Sequence, residues 1–173
     1  MSQKNLPIDL ITTQEFAYKP CNLSIKNAEL EAESQEYGAC TFEMNGLRIK
    51  FRVAKITPTK IGQFVTLWKR SQAGITEPYD MADNIDFFVI SVRNKEHFGQ
   101  FVFPKAVLCE KGFVSQNGKG GKRAMRVYPA WDVAENQQAK KTQAWQLAYF
   151  FEIKQDKPID TARVKKLFSR STH

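Results

Sequence analysis

The chain has 173 residues, 42% of them hydrophobic, which suits one sizeable core and is too little for two. Lysine and arginine number 26 against 18 acids, a net charge of +8, which favours a polyanionic partner such as nucleic acid (DNA or RNA), or a nucleotide. No apolar run approaches the ~20 residues that cross a bilayer, no export signal is evident, and Cys21, Cys40 and Cys109 lack CxxC spacing, so a cytoplasmic protein with reduced thiols and no membrane partner is expected.

Residues 1–22, with Pro7 and Pro20, read as an N-terminal extension holding a short helix around Thr13 to Tyr18, loosely packed on a body formed by 23–173. Ser24 is a capping residue type, and Ala28, Ala32 and Glu36 keep helical spacing up to Gly38, so a helix is expected there. Its acids Glu29, Glu31 and Glu33 suit a solvated face, with Glu36 the member able to turn inward. Asn45-Gly46 between the alternating runs 40–44 and 47–54 predicts a hairpin. In its second arm Leu47, Ile49, Phe51 and Val53 alternate with Arg48, Lys50 and Arg52. Solvent or an anion must compensate that row of cations.

The stretch Phe51 to Arg70 concentrates the candidate chemistry. Two strands, ending near Val53 and spanning 64–69, flank a loop with Pro58 and Gly62. Lys55, Thr57, Thr59 and Lys60 occupy the join, and Lys69 and Arg70 its far end. Ammonium groups, hydroxyls and free N–H groups in one turn are chemistry for holding phosphate; an ordinary hydrated loop has the same composition. No Gly-Lys-Ser/Thr of a P-loop follows.

The apolar run 85–92 reads as a strand buried on both faces, with Asp86 at its start. A carboxylate there needs a cation, hydrogen bonds or a metal, which makes Asp86 the leading candidate acid, a structural salt bridge being the alternative. A strand over 98–103 precedes a two-turn helix that Pro104 opens and Gly112 closes. Gly-Gln-Phe-Val occurs at 62–65 and again at 99–102, as if two strands enter the sheet alike. Residues 115–126 are rich in glycine and carry Lys119, Lys122, Arg123 and Arg126. They read as a mobile flap bringing charge to a polyanion, or as a plain hairpin tip. The longest helix is expected over 137–151, with Trp145, Leu147, Ala148 and Phe151 inward. Trp131 is the candidate for stacking on a base, core packing being its other reading. Asp160 caps a last helix through Val164, Leu167 and Phe168, and the tail after it should fray.

The runs EYGACTFEMNGLRIKFRVAKITPTKIGQFVTLWKR, IDFFVISV, GQFVFPKAVL, GGKRAMRVYPAWD and KKTQAWQLAYF resemble the MepB family over roughly residues 24–151. The resemblance implies an α/β (α+β) fold, a single domain with a central mixed twisted sheet flanked by helices. It is the restriction-endonuclease-like or Holliday-junction-resolvase-like arrangement of PD-(D/E)xK nucleases, where nucleic acid lies in a cleft. Nucleases of that kind hold Mg²⁺ with carboxylates on adjacent strands and use a lysine beside the water. Asp86 matches the first acid and is the tentative metal ligand. Gln100 stands where a second carboxylate would be sought, Lys105 lies beyond it with Phe103 in place of an acid, and Glu36 resembles an acid some members carry on the first helix. With a carboxylate missing, metal affinity falls while the cationic cleft remains. The expected function is largely sequence-independent nucleic-acid binding through Lys55, Thr57, Thr59, Lys60, Lys69, Arg70, Lys122, Arg123 and Arg126. A Mg²⁺- or Mn²⁺-dependent nuclease is the alternative, and a nucleotide or small-anion binder a further one.

Overall fold

The computed structural model describes residues 5–169; the expected fraying of the last residues lies outside them. In chain order the strands are β1 (Ile25–Leu30), β2 (Cys40–Met44), β3 (Leu47–Val53), β4 (Lys55–Ile56), β5 (Gln63–Thr66), β6 (Lys69–Arg70), β7 (Thr76–Glu77), β8 (Phe87–Arg93), β9 (Phe98–Pro104), β10 (Ala124–Val127) and β11 (Phe150–Glu152). The α-helices are α1 (Ile8–Thr13), α2 (Lys105–Glu110), α3 (Gln137–Leu147) and α4 (Thr161–Leu167).

Six strands form a mixed sheet in the order β1-β2-β3-β8-β9-β11, parallel between β3 and β8 and antiparallel elsewhere. The β2–β3 hairpin turns on Asn45 and Gly46, both at positive φ (51° and 81°), the backbone that Asn-Gly favours. Strand β8 is buried on both faces, as its unbroken apolar run requires. Phe87 and Val89 face a core shared with α1 and α4, while Phe88, Ile90 and Val92 face a core shared with β5, β10 and α2. A second, three-stranded sheet, β10-β5-β4, covers that other face. Among the described residues no helix is long and apolar enough to cross a membrane.

Four sequence expectations need correction. The segment after Ser24 is β1, not a helix; its backbone completes β2, and the Ser24 N–H donates to Asn45 Oδ1 at 3.2 Å. Helical spacing of alanines loses there to pairing at a sheet edge. The N-terminal segment is not loosely packed: Leu10, Ala17 and Tyr18 are fully buried, in α1 and the π-helical turn Gln14–Tyr18. Helix α3, capped by Asn136 accepting from the Ala139 N–H at 2.8 Å, stops at Leu147. Ala148 is exposed, and Phe150 and Phe151 belong to β11, whose pairing with β9 outweighs another helical turn. The two Gly-Gln-Phe-Val copies enter different sheets, as β5 and β9. Asp160 caps α4 as expected, accepting from the Arg163 N–H at 3.0 Å.

Candidate functional site

Parts of two cation-bearing stretches, 55–60 and 115–126, meet at the second sheet. Antiparallel pairing sets Arg126 opposite Phe64, and Phe64 opposite Lys55, so these three form one row across β10, β5 and β4. Residues one step along each strand point the other way: Gln63, Val65, Met125 and Val127 are buried. In front of the row lies a cleft of ≈ 660 Å³. Thr59, Lys60, Lys122 and Arg126 supply much of its polar wall and Phe64, Phe113 and Tyr128 its aromatic wall, with Glu135 the single acid among the described residues there.

The cations are positioned by aromatic rings and backbone. Lys55 Nζ lies 4.7 Å from the Tyr37 ring centre, Lys122 Nζ 5.4 Å from that of Phe113, and the Arg126 guanidinium 5.9 Å from that of Phe64. Arg126 Nη1 also donates to Thr57 Oγ1 (3.1 Å) and to the carbonyls of Gly62 (3.2 Å) and Ile61 (3.4 Å), tying the loop between β4 and β5 to β10. Gly62 has φ +85°, and a Cβ there would lie 2.8 Å from the Tyr128 ring, so glycine alone lets this loop pass under the tyrosine.

The glycine-rich stretch before β10 is anchored rather than free. Asp80 accepts from Ser115 Oγ (2.7 Å) and from the backbone N–H groups of Gly118 (3.0 Å) and Ala82 (2.9 Å). Those bonds, the Gly118 N–H first, hold the Asp80 carboxyl down at about 2. Lys122 N donates to Phe113 O, closing the turn that presents Lys122.

Lys69 and Arg70 do not reach this cleft. They line another cavity, of ≈ 510 Å³, with Arg48, Lys50 and Arg52. There each cation has an internal acid: Lys69 with Asp83 (2.6 Å), Arg70 with Glu33, Lys50 with Glu31 (2.8 Å), Arg52 with Glu31, and Arg48 with Glu43 (3.1 Å). The cationic row of β3 is therefore compensated within the chain. Glu31, expected on a solvated face, is its half-buried counter-ion, and Arg52 is only 1% exposed. Burial pushes the Tyr79 hydroxyl, which accepts from Arg52 Nη2 at 3.1 Å, up to about 12. Arg123 is exposed and donates to Thr76 Oγ1 at 3.2 Å, outside the cleft lining.

The four residues suggested for metal chemistry are not brought together. Asp86 and Lys105 share one cavity, but Asp86 Oδ2 accepts from the Arg48 N–H (2.8 Å), and Lys105 Nζ donates to the carbonyls of Asp83 (2.7 Å) and Met81 (2.8 Å). Gln100 lies farther along β9, opposite Ser91, fully buried. It accepts from Tyr18 Oη (2.7 Å) and donates to Thr13 Oγ1 (3.0 Å), joining the N-terminal segment to the sheet. Glu36 is exposed on a turn whose next residues reach Val53, at the opposite end of β3 from Arg48 and Asp86. Among the described residues no three His, Cys, Asp or Glu side chains stand close enough to hold a metal ion. These donors do not fit the Mg²⁺ site that the resemblance implies.

Trp131 packs its ring on His97, centres 5.0 Å apart and planes at 11°, and meets Phe150 edge-on at 5.8 Å. Its face is engaged before any base arrives. Sequence reasoning passed over Phe64, Phe113 and Tyr128. The alternation of Gln63–Thr66 places Phe64 outward, and that of Ala124–Val127 carries on to put Tyr128 on the face of Arg126, both readable signals; Phe113 is set by a loop and carries none.

The sequence profile of the MepB-like family matches residues 31–152. A crystal structure of MepB superposes at a TM-score of 0.74 with 34% identity, over 88% of this chain and 97% of that one. The bacterial homing endonuclease I-Ssp6803I aligns at a TM-score of 0.42 with 14% identity, over 85% of this chain and 93% of that one, which is too low to show a shared fold. No curated protein matches. With its profile matched over residues 31–152 and MepB 34% identical over most of both chains, the chain belongs to the MepB-like family.

Proposed function

We propose that the protein binds nucleic acid, largely without regard to sequence, in the cleft before β10, β5 and β4. The observation that carries this reading is the meeting of Lys60, Lys122 and Arg126, from two distant segments, on a surface that also bears Phe64, Phe113 and Tyr128. Cations spaced along a groove neutralise phosphates, and aromatic faces between them accept unstacked bases of any identity. Thr59 adds a hydroxyl to the same wall, and Lys55 extends the row at its edge. Lys69 and Arg70 are assigned to the ion-paired cavity and not to phosphate.

The test is a titration of single- and double-stranded DNA and RNA at about 50 and 200 mM salt. Affinity is expected to fall steeply with salt for every sequence. The pair Lys60→Ala with Lys122→Ala should flatten the log–log salt slope by about 1.5 and weaken all sequences alike. Binding indifferent to salt, or a loss confined to one sequence, would overturn the reading.

A further inference from the structure

A second, smaller cavity of ≈ 330 Å³ adjoins the cleft; Thr59, Lys60 and Ile61 line both. It holds two residues with polar atoms that have no partner among the described residues, Gln63 Oε1 and Trp131 Nε1. One is an acceptor and the other a donor. Gln63 is 2% exposed and spends its Nε2 on Arg93 O at 3.1 Å, leaving the oxygen unused. The Trp131 ring is held by His97 and Phe150, so what it has to offer is the indole N–H. Ile56, Pro58 and Ile61 give the cavity an apolar rim, and Ile56 is 63% exposed. Beside it Val133, the residue after Asp132, is 77% exposed. Thr59, Lys60, Asn94 and Asp132 make the rest of the lining polar. Buried polar groups are ordinarily bonded, and a small cavity with an apolar side and a few convergent polar atoms suits a flat organic ring whose edge carries donors and acceptors.

We propose that this cavity receives one unstacked nucleobase of a strand held in the neighbouring cleft, with Gln63 Oε1 accepting from its edge and Trp131 Nε1 donating to it. The inference rests on the nucleic-acid reading and deepens it. Every nucleobase presents a donor beside an acceptor, so such a pocket takes a base without naming it. Both protein atoms are sealed from water. A base reaches them only when the loop between β4 and β5 lifts, and Arg126 is the latch, through its bonds to Thr57, Ile61 and Gly62. A phosphate that draws the Arg126 guanidinium away loosens the loop as it binds, leaving the Gly62 N–H bond to Asp132 as its remaining tie to the turn after β10.

The experiment uses the full chain and two labelled probes of equal length, a single-stranded oligonucleotide and its fully abasic counterpart, with affinities read by fluorescence anisotropy. The unaltered protein should bind the base-bearing strand at least about fivefold more tightly. Trp131→Phe keeps a ring against His97 but removes the N–H; it should lower that ratio by at least about twofold, the rings of the cleft keeping the remainder, and leave the abasic affinity unchanged. Gln63→Leu should do the same, and melting curves report whether it folds; if it does not, Trp131→Phe decides. An unchanged ratio in Trp131→Phe, or a ratio of one in the parent, overturns the base pocket while salt-sensitive binding of the abasic strand keeps the cleft standing. Failure to bind either probe overturns both.

Discussion

Glu31 is the residue on which the cations of β3 converge. Its carboxylate takes Lys50 at 2.8 Å and Arg52, and Arg52 is buried. Glu31→Gln keeps the shape and removes the charge, stranding a buried guanidinium, at a cost of about 3 kcal/mol. Urea unfolding of the variant should show it; a loss under ~1 kcal/mol would mean that solvent already screens the pair. The alternation of Arg48, Lys50 and Arg52 with apolar residues was readable, and so was the need for compensation. The partner was not, because Glu31 reaches β3 only through β1, in a segment whose alanine spacing imitates a helix. Gln100 misleads for a similar reason. It stands where the resemblance would seek a second carboxylate, yet its partners, Tyr18 and Thr13, come from the far N-terminal segment.

At the scale of elements, the turn that presents Lys122 depends on Asp80. Its carboxyl sits at about 2, below its ordinary 3.8, because it accepts from Gly118, Ala82 and Ser115. A depressed carboxyl contributes stability that is present above the ordinary value and is lost as pH falls through the folded one. Asp80→Asn should therefore be less stable than the parent at neutral pH, with the gap closing between pH 3.8 and about 2. Paired urea midpoints across that range check it, and a gap independent of pH would show that the bonds are not made by the charged form. The Asn-Gly hairpin, the doubly buried β8 and the Asp160 cap were legible because each rests on contacts a few residues apart or on one unbroken pattern. The glycine-rich run was not, since composition signals freedom while the anchor lies more than thirty residues earlier, Asp80 pairing with Ser115.

For the whole molecule, net charge overstates the surface offered to a polyanion. Five cations around the Glu31 cavity are spent on acids of the same chain, whereas Lys60, Lys122 and Arg126 share their cleft with Glu135 alone among acids. Lys69→Ala with Arg70→Ala removes as much charge as the Lys60 and Lys122 pair, yet the salt slope of binding should stay as in the parent. A slope flattened equally by both pairs would mean that overall charge, not the cleft, does the holding. The sequence displayed both basic blocks; which cations meet was set by strand register between segments far apart.

That register has a bearing on synthesis. Gln63–Thr66 leaves the ribosome well before Ala124–Val127, its partner across the sheet. A nascent chain that ends short of Ala124 has half a groove, with the Lys60 loop lacking the arginine that pins it. Amid ribosomal RNA, the growing polypeptide thus passes most of its elongation without the groove proposed to hold nucleic acid, and completes it only when the late strand docks.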